Sequence, residues 1–255
     1  MSIQVTAVLF VLGLFFGTLA CLEIGRSLGR RAIAESGSAP AGLATVEGVA
    51  FALLGLLLAF TFSGAASRFD TRRALVVEEA NDIGTAWLRL DLLPREAQPK
   101  LREEFRKYVD ARLAAYRALP NIAAARREAD KATALQNEIW ADAVAATRDG
   151  GAPAMLLLPA LNAMIDITTT RTAALRMHPP ATVFGILGVI SLACALFAGY
   201  EMGGSAASSR LHVIGFAVIL TFTVYVILDF EFPRFGLIRI DQVDQVLADV
   251  RASMK

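Results

Sequence analysis

Residues 46–73, VEGVAFALLGLLLAFTFSGAASRFDTRR, decide the architecture of this chain. From Val46 to Ala66 the run carries one charge, Glu47. It is long enough to cross about 30 Å of hydrocarbon, which takes roughly 20 apolar residues as a helix. Charge then arrives abruptly at Arg68, Asp70, Arg72 and Arg73. On a helix advancing about 100° per residue, Ala52, Leu56, Phe60, Ser63 and Ser67 fall within an arc of about 80°. A stripe of Gly55, Ala59 and Ala66 lies beside them, with Phe62 intruding, and small residues at this spacing let helix backbones approach closely in lipid. The first face passes from apolar to hydroxylated to charged. That order suits a pore with a dry neck at Ala52, Leu56 and Phe60 that opens into a wet vestibule at Ser63 and Ser67. The same spacing also suits ordinary packing inside one subunit's helical bundle, and spacing alone leaves both readings open.

Three more stretches have the composition of spans: Ile3–Leu22, Ala181–Tyr200 and Leu211–Phe230. With 55% hydrophobic and 19% charged residues, the chain is too apolar for a water-soluble domain. The first stretch has no basic leader and is too long and uniformly apolar for a removable signal peptide. The expected layout is an all-α integral membrane protein. It has a first transmembrane helix at 1–24, a loop at 25–45, a second transmembrane helix at 46–67, and an extramembrane helical domain at 68–178. Transmembrane helices at 181–200 and 211–230 follow, then a tail at 231–255.

The insert 68–178 holds most of the charge, 17 Lys/Arg and 15 Asp/Glu. Leu101, Phe105, Val109, Leu113 and Tyr116 recur at helical spacing, with Glu103, Glu104, Arg106 and Lys107 on the other side. Breaks at Leu93-Pro94, Leu119-Pro120 and Gly150-Gly151 predict helices over about 69–92, 96–118, 121–148 and 153–177. No stretch alternates at period two, so no sheet is expected. The charges read as solvated helix faces with i,i+4 pairs.

Composition narrows function. Lys+Arg number 25 against 24 Asp+Glu, which leaves no electrostatic footprint for nucleic acid. Cys21 and Cys194 sit in apolar runs as small buried thiols, and two histidines, His178 and His212, cannot build a metal or proton-relay cluster. No metal and no cofactor is expected. An enzyme would need clustered acid, base or nucleophile groups, which the spans lack. An even number of spans puts both termini and the insert on one side. Arg26, Arg30 and Arg31 after span one favour an outside N-terminus. Summed over all flanks, seven arginines against four favour a cytoplasmic insert.

The run 55–84, GLLLAFTFSGAASRFDTRRALVVEEANDIG, resembles the bestrophin signature. An apolar span ends in a Phe-containing neck. An Ala-rich turn, an Arg-aromatic pair (Arg68-Phe69), a second Arg (Arg73) and a helix rich in Glu and Asn follow. After span four, Pro233-Arg234-Phe235-Gly236 is similar to the family's Pro-Phe-Gly element with an Arg inserted, and Asp229 and Glu231 approach it. The short chain is similar to the divergent bacterial bestrophin-like group more than to the animal channels. The resemblance implies a homopentameric ion channel in a bacterial inner membrane, with insert and termini cytoplasmic and five copies of span two lining the neck. Phe60 matches the neck phenylalanine and Leu56 its aliphatic position. Ala52 stands where the family has a larger side chain. The animal members' calcium clasp has no counterpart in Leu237-Ile238-Arg239-Ile240, so no calcium activation is expected.

Other residues have two readings. Glu47 is either a carboxylate ring at the outer mouth, attracting cations, or an interfacial anchor or salt-bridge partner of Arg30 or Arg31. Asp229 and Glu231 read as partners of Arg234 or Arg239. Arg68, Arg72 and Arg73 read as snorkelling at the interface. Glu78 with Asp82 offers too few convergent ligands for a metal. The leading function is a passive channel for small anions such as chloride, gated by dewetting at Leu56 and Phe60. The competing readings are a cation channel and a membrane sensor or scaffold whose insert binds a partner. Mass in detergent separates the last from a channel, because a monomer cannot make this pore.

Overall fold

The computed structural model describes residues 3–36, 43–204 and 210–255. Among these residues there are eight α-helices and no strand: α1 (Ile3–Ser36), α2 (Leu43–Arg89), α3 (Gln98–Arg117), α4 (Ile122–Ala146), α5 (Ala152–Arg176), α6 (Ala181–Met202), α7 (Arg210–Glu231) and α8 (Asp244–Ser253). Short 3-10 turns occupy Leu90–Leu92 and Asp241–Val243. α1, α2, α6 and α7 each carry a stretch long and apolar enough to cross a membrane. Two compact units divide the chain. One combines Met1–Ser67 with His178–Phe232, and the other combines Arg68–Met177 with Pro233–Lys255.

Two helix ends depart from the sequence reading. The segment 25–45, expected as a loop, is helical as far as Ser36, and 37–42 lie outside the described residues. Nothing between Gly25 and Ser36 breaks a helix, and Arg26 pairs with Glu23 one turn back at 3.9 Å. Likewise α2 does not stop at Ser67 but runs unbroken to Arg89. The Ala-rich stretch 64–66, expected as a turn, is helical too. No proline interrupts residues 43–89, so the onset of charge at Arg68 marks a change of solvent and not a change of backbone. At 47 residues the helix is about 70 Å long, more than twice the hydrocarbon thickness. The expected link 201–210 is helical to Met202, and its centre, 205–209, lies outside the described residues.

In the membrane-spanning unit α1 and α6 run parallel and in close contact. A methyl group built on Gly25 would stand 2.0 Å from Leu196 O, one on Gly29 would stand 2.1 Å from Tyr200 O, and one on Gly199 would stand 2.1 Å from Leu22 O. Gly25-xxx-Gly29 on α1 therefore meets Gly199-xxx-Gly203 on α6 backbone to backbone, the arrangement by which small residues bring helices together in lipid. The interior beside this seam is built from Leu14, Leu54, Leu187, Cys194, Leu220 and Val224. α2 joins α7 through edge-on aromatic pairs, Phe51 with Phe216 at 6.1 Å and Phe62 with Phe230 at 5.6 Å.

The charged unit has a core of its own. Val76, Ala80, Ile83, Trp87 and Leu90 meet Leu101, Phe105, Tyr108 and Val109 of α3, Leu135 and Ile139 of α4, and Leu157, Leu161 and Met164 of α5. Leu101, Phe105, Val109 and Leu113 are all buried, as their periodicity predicts. Asn121 caps α4 by accepting from the Ala124 N–H at 3.0 Å. Gly150 and Gly151, at φ of 72° and 82°, turn the chain from α4 into α5. α8 is tied to α3 by Arg251, whose Nε and Nη2 donate to the Asp110 carboxylate at 2.8 and 2.9 Å, and by the buried Leu247.

Candidate functional site

The predicted neck residues lie on one face of α2. Leu56 is 52% exposed and Phe60 is 67% exposed, and Ala52, Ser63 and Ser67 are exposed with them. The opposite face carries Leu54 and Ala65, both buried, and the half-buried Phe51, Leu58 and Thr61. Phe51 and Leu54 serve the subunit's own interior, while Ala52, Leu56, Phe60, Ser63 and Ser67 are exposed. Of the four spans, α2 is the least buried inside its own chain. Gly55 has no atom within 4 Å of a built methyl group, so the small-residue stripe beside the neck is also open.

Glu47 is not part of this stripe. It is 7% exposed and on the buried side of α2, close to the Glu201 carboxyl on α6. Its partner is neither Arg30 nor Arg31, and its Oε2 has no hydrogen-bond partner. Glu231, at the end of α7, pairs with His178 Nδ1 at 3.2 Å, and Tyr225 O–H donates to Asp229 at 3.4 Å.

In the charged unit the residues of the two motifs are held apart from solvent to different degrees. Arg73 lies over the Phe69 ring, its guanidinium carbon 5.7 Å from the centroid, and pairs with Asp70 at 3.5 Å. Phe69 is buried, whereas Arg73 is exposed. Arg72 does not snorkel. It is buried, its Nε donating to Ala174 O at 3.2 Å and its Nη2 to Met177 O at 3.0 Å, so it caps the carbonyl end of α5. Pro233 O accepts from Ile240 N at 3.2 Å and closes the turn that contains Phe235 and Gly236. That turn carries Asp241 and Asp244 back over Arg234, which donates to the Asp244 carboxylate through two nitrogens at 2.7 and 2.9 Å and to Asp241 at 3.3 Å. Asp229 and Glu231 precede the turn, and Arg239 pairs with Asp241 at 2.5 Å.

Sequence reasoning missed the centre of this unit. Glu79 is 0% exposed. Its Oε1 accepts from Arg112 Nε at 2.6 Å, and its Oε2 accepts from Arg171 and, at 3.1 Å, from Tyr116 O–H. Three guanidinium carbons, those of Arg112, Arg171 and Arg234, stand 5.2, 4.5 and 4.8 Å from the Tyr116 ring centroid. Burial pushes the Tyr116 phenol up to about 12, with Arg112 pulling the other way, so it keeps its proton and donates to Glu79. One signal for this cluster was present in the sequence: Glu79 interrupts the apolar series Val76, Ala80 and Ile83, a core position of its helix.

These features define an all-helical, four-span membrane protein with a separate charged helical unit. The Bestrophin-like domain family model matches residues 12–244, almost the whole chain, and the protein belongs to the bestrophin-like family. That family is one of bestrophin-type channels, whose members form oligomers and act on ions in membranes. No curated protein and no solved structure matches the chain.

Proposed function

We propose that this protein is a passive channel for small anions such as chloride, built from five copies around a shared axis. Rings of Leu56 and Phe60 form a neck that excludes water until it widens. Ala52 contributes a third and wider ring, and Ser63 with Ser67 line the hydroxylated vestibule beyond. The insert and both termini lie on the cytoplasmic side of a bacterial inner membrane. One observation carries this reading: the stripe from Ala52 to Ser67 is exposed on a span whose other face is committed to its own subunit. A hydroxylated, then charged continuation at Ser63, Ser67 and Arg68 is wasted on lipid and useful to water. The cation-selective alternative draws on Glu47 as an outer ring; within its own chain Glu47 is buried, which favours the anion reading.

The test is ion current through planar bilayers that hold the purified protein. Replacing the Phe60 ring with alanine widens an apolar constriction, so Phe60→Ala is expected to raise chloride conductance several-fold. Current equal to that of the unmodified protein overturns the neck assignment.

A further inference from the structure

The exposed face of α2 does not end at Ser67. At about 100° per residue, Asp70, Ala74, Glu78, Asn81, Thr85 and Leu88 fall in the same arc of about 80° as Leu56 and Phe60. All six are exposed, and the helix carries them without a break. Its other side, at Val76, Ala80, Ile83 and Trp87, is buried in the core of the charged unit. The charges on the exposed face have one sign. Asp70 and Glu78 lie inside the arc, and no basic residue of α2 does. Arg68, Arg72 and Arg73 stand about 100–160° from its centre. Arg72 is buried and caps α5, and Arg73 lies over Phe69. Arg89, just outside the arc, donates to Leu156 O at 2.6 Å.

We propose that Glu78, assisted by Asp70, sets the charge selectivity of the pathway by opposing the passage of anions. This rests on the reading of α2 as the helix that lines a pore. An apolar neck excludes water and ions of either sign, so discrimination by sign falls to the fixed charges that the same face presents beyond it. In an assembly of several copies around one axis, Glu78 repeats at one level of the vestibule. A ring of like charge in a confined space raises a potential that repels chloride and gathers cations. The two carboxylates are not equivalent. Asp70 is paired with Arg73 at 3.5 Å, which offsets most of its field. Glu78 has no ion pair among the described residues, so no cation offsets its charge. Chloride that passes the neck therefore moves against Glu78, which holds the anion current below what the neck alone admits.

Reversal potentials across planar bilayers that hold the full-length protein, in a sodium chloride gradient, read the chloride-to-sodium permeability ratio. Glu78→Gln is expected to raise that ratio about threefold, the effect of about one kT of potential. Glu78→Lys is expected to raise it further, and Asp70→Asn to raise it less than Glu78→Gln. The Debye length is about 10 Å at 0.1 M salt and about 3 Å at 1 M, so the change should be largest near 0.1 M and fade near 1 M. A substitution that merely disturbs the helix would not follow salt in this way. An unchanged ratio in Glu78→Gln and Glu78→Lys, in bilayers where Phe60→Ala alters the current, overturns the proposal and leaves the neck standing. A shift of equal size at both salt concentrations also overturns it. If Phe60→Ala and both Glu78 variants all behave as the unmodified protein does, the pore-lining reading of α2 falls and this proposal falls with it.

Discussion

Glu79 accepts from Arg112 Nε at 2.6 Å while its second oxygen is held by Arg171, and the carboxylate has no solvent exposure. A lone buried carboxylate between two guanidiniums is sustained by its partners, and they by it. Removing its charge leaves two cations in a low-dielectric interior. Glu79→Gln is therefore expected to destabilise the protein by about 3–5 kcal/mol, read by chemical or thermal unfolding in detergent. A loss below about 0.5 kcal/mol would show that the pairing is peripheral to stability.

The seam between α1 and α6 tolerates no side chain at Gly25, Gly29 or Gly199. Gly199→Leu places carbon atoms where the Leu22 carbonyl lies, and the helices must separate. The expected outcome is loss of folded protein on size exclusion in detergent. Gly13→Ala, where a methyl meets nothing within 4 Å, should leave the elution profile unchanged. Equal behaviour of the two variants would mean that the seam is loose.

Burial first, and then the hydrogen bond and charge of Asp142, push the Glu104 carboxyl up to about 7, with Lys100 opposing. A carboxyl raised on folding favours the folded state while both states are protonated. Its contribution is full below about 4.5 and is lost as pH rises through about 7. Glu104→Gln imitates the protonated form, so it should match the unmodified protein at pH 4 and exceed it at pH 8 by on the order of 1–2 kcal/mol. A stability difference that does not change with pH would refute this.

Much of the architecture is readable from local rules. Leu101, Phe105 and Val109 announce their helix by period, and Pro94, Pro120 and the Gly150-Gly151 pair announce its limits and those of its neighbours. Arg68 is misleading because lipid and water select side chains, whereas a helix ends only where the backbone is interrupted. The long-range partners are not readable. Gly25 meets Leu196 and Glu79 meets Arg171 across separations that no periodicity encodes. Arg234 looks like an intruder in a Pro-Phe-Gly element until the turn from Pro233 to Ile240 brings Asp244 over it. On the candidate neck, spacing groups Ala52, Leu56, Phe60, Ser63 and Ser67, but only the burial of the opposite face shows which side of α2 is left over.

What covers that leftover side of α2 decides whether the protein encloses a pore. Images of the purified assembly, averaged without imposed symmetry, address it most directly. Five subunits around an open axis are expected, with Leu56 and Phe60 of every copy facing the opening. Particles of a single subunit, or an assembly whose Phe60 side chains point into detergent with a filled centre, would contradict it.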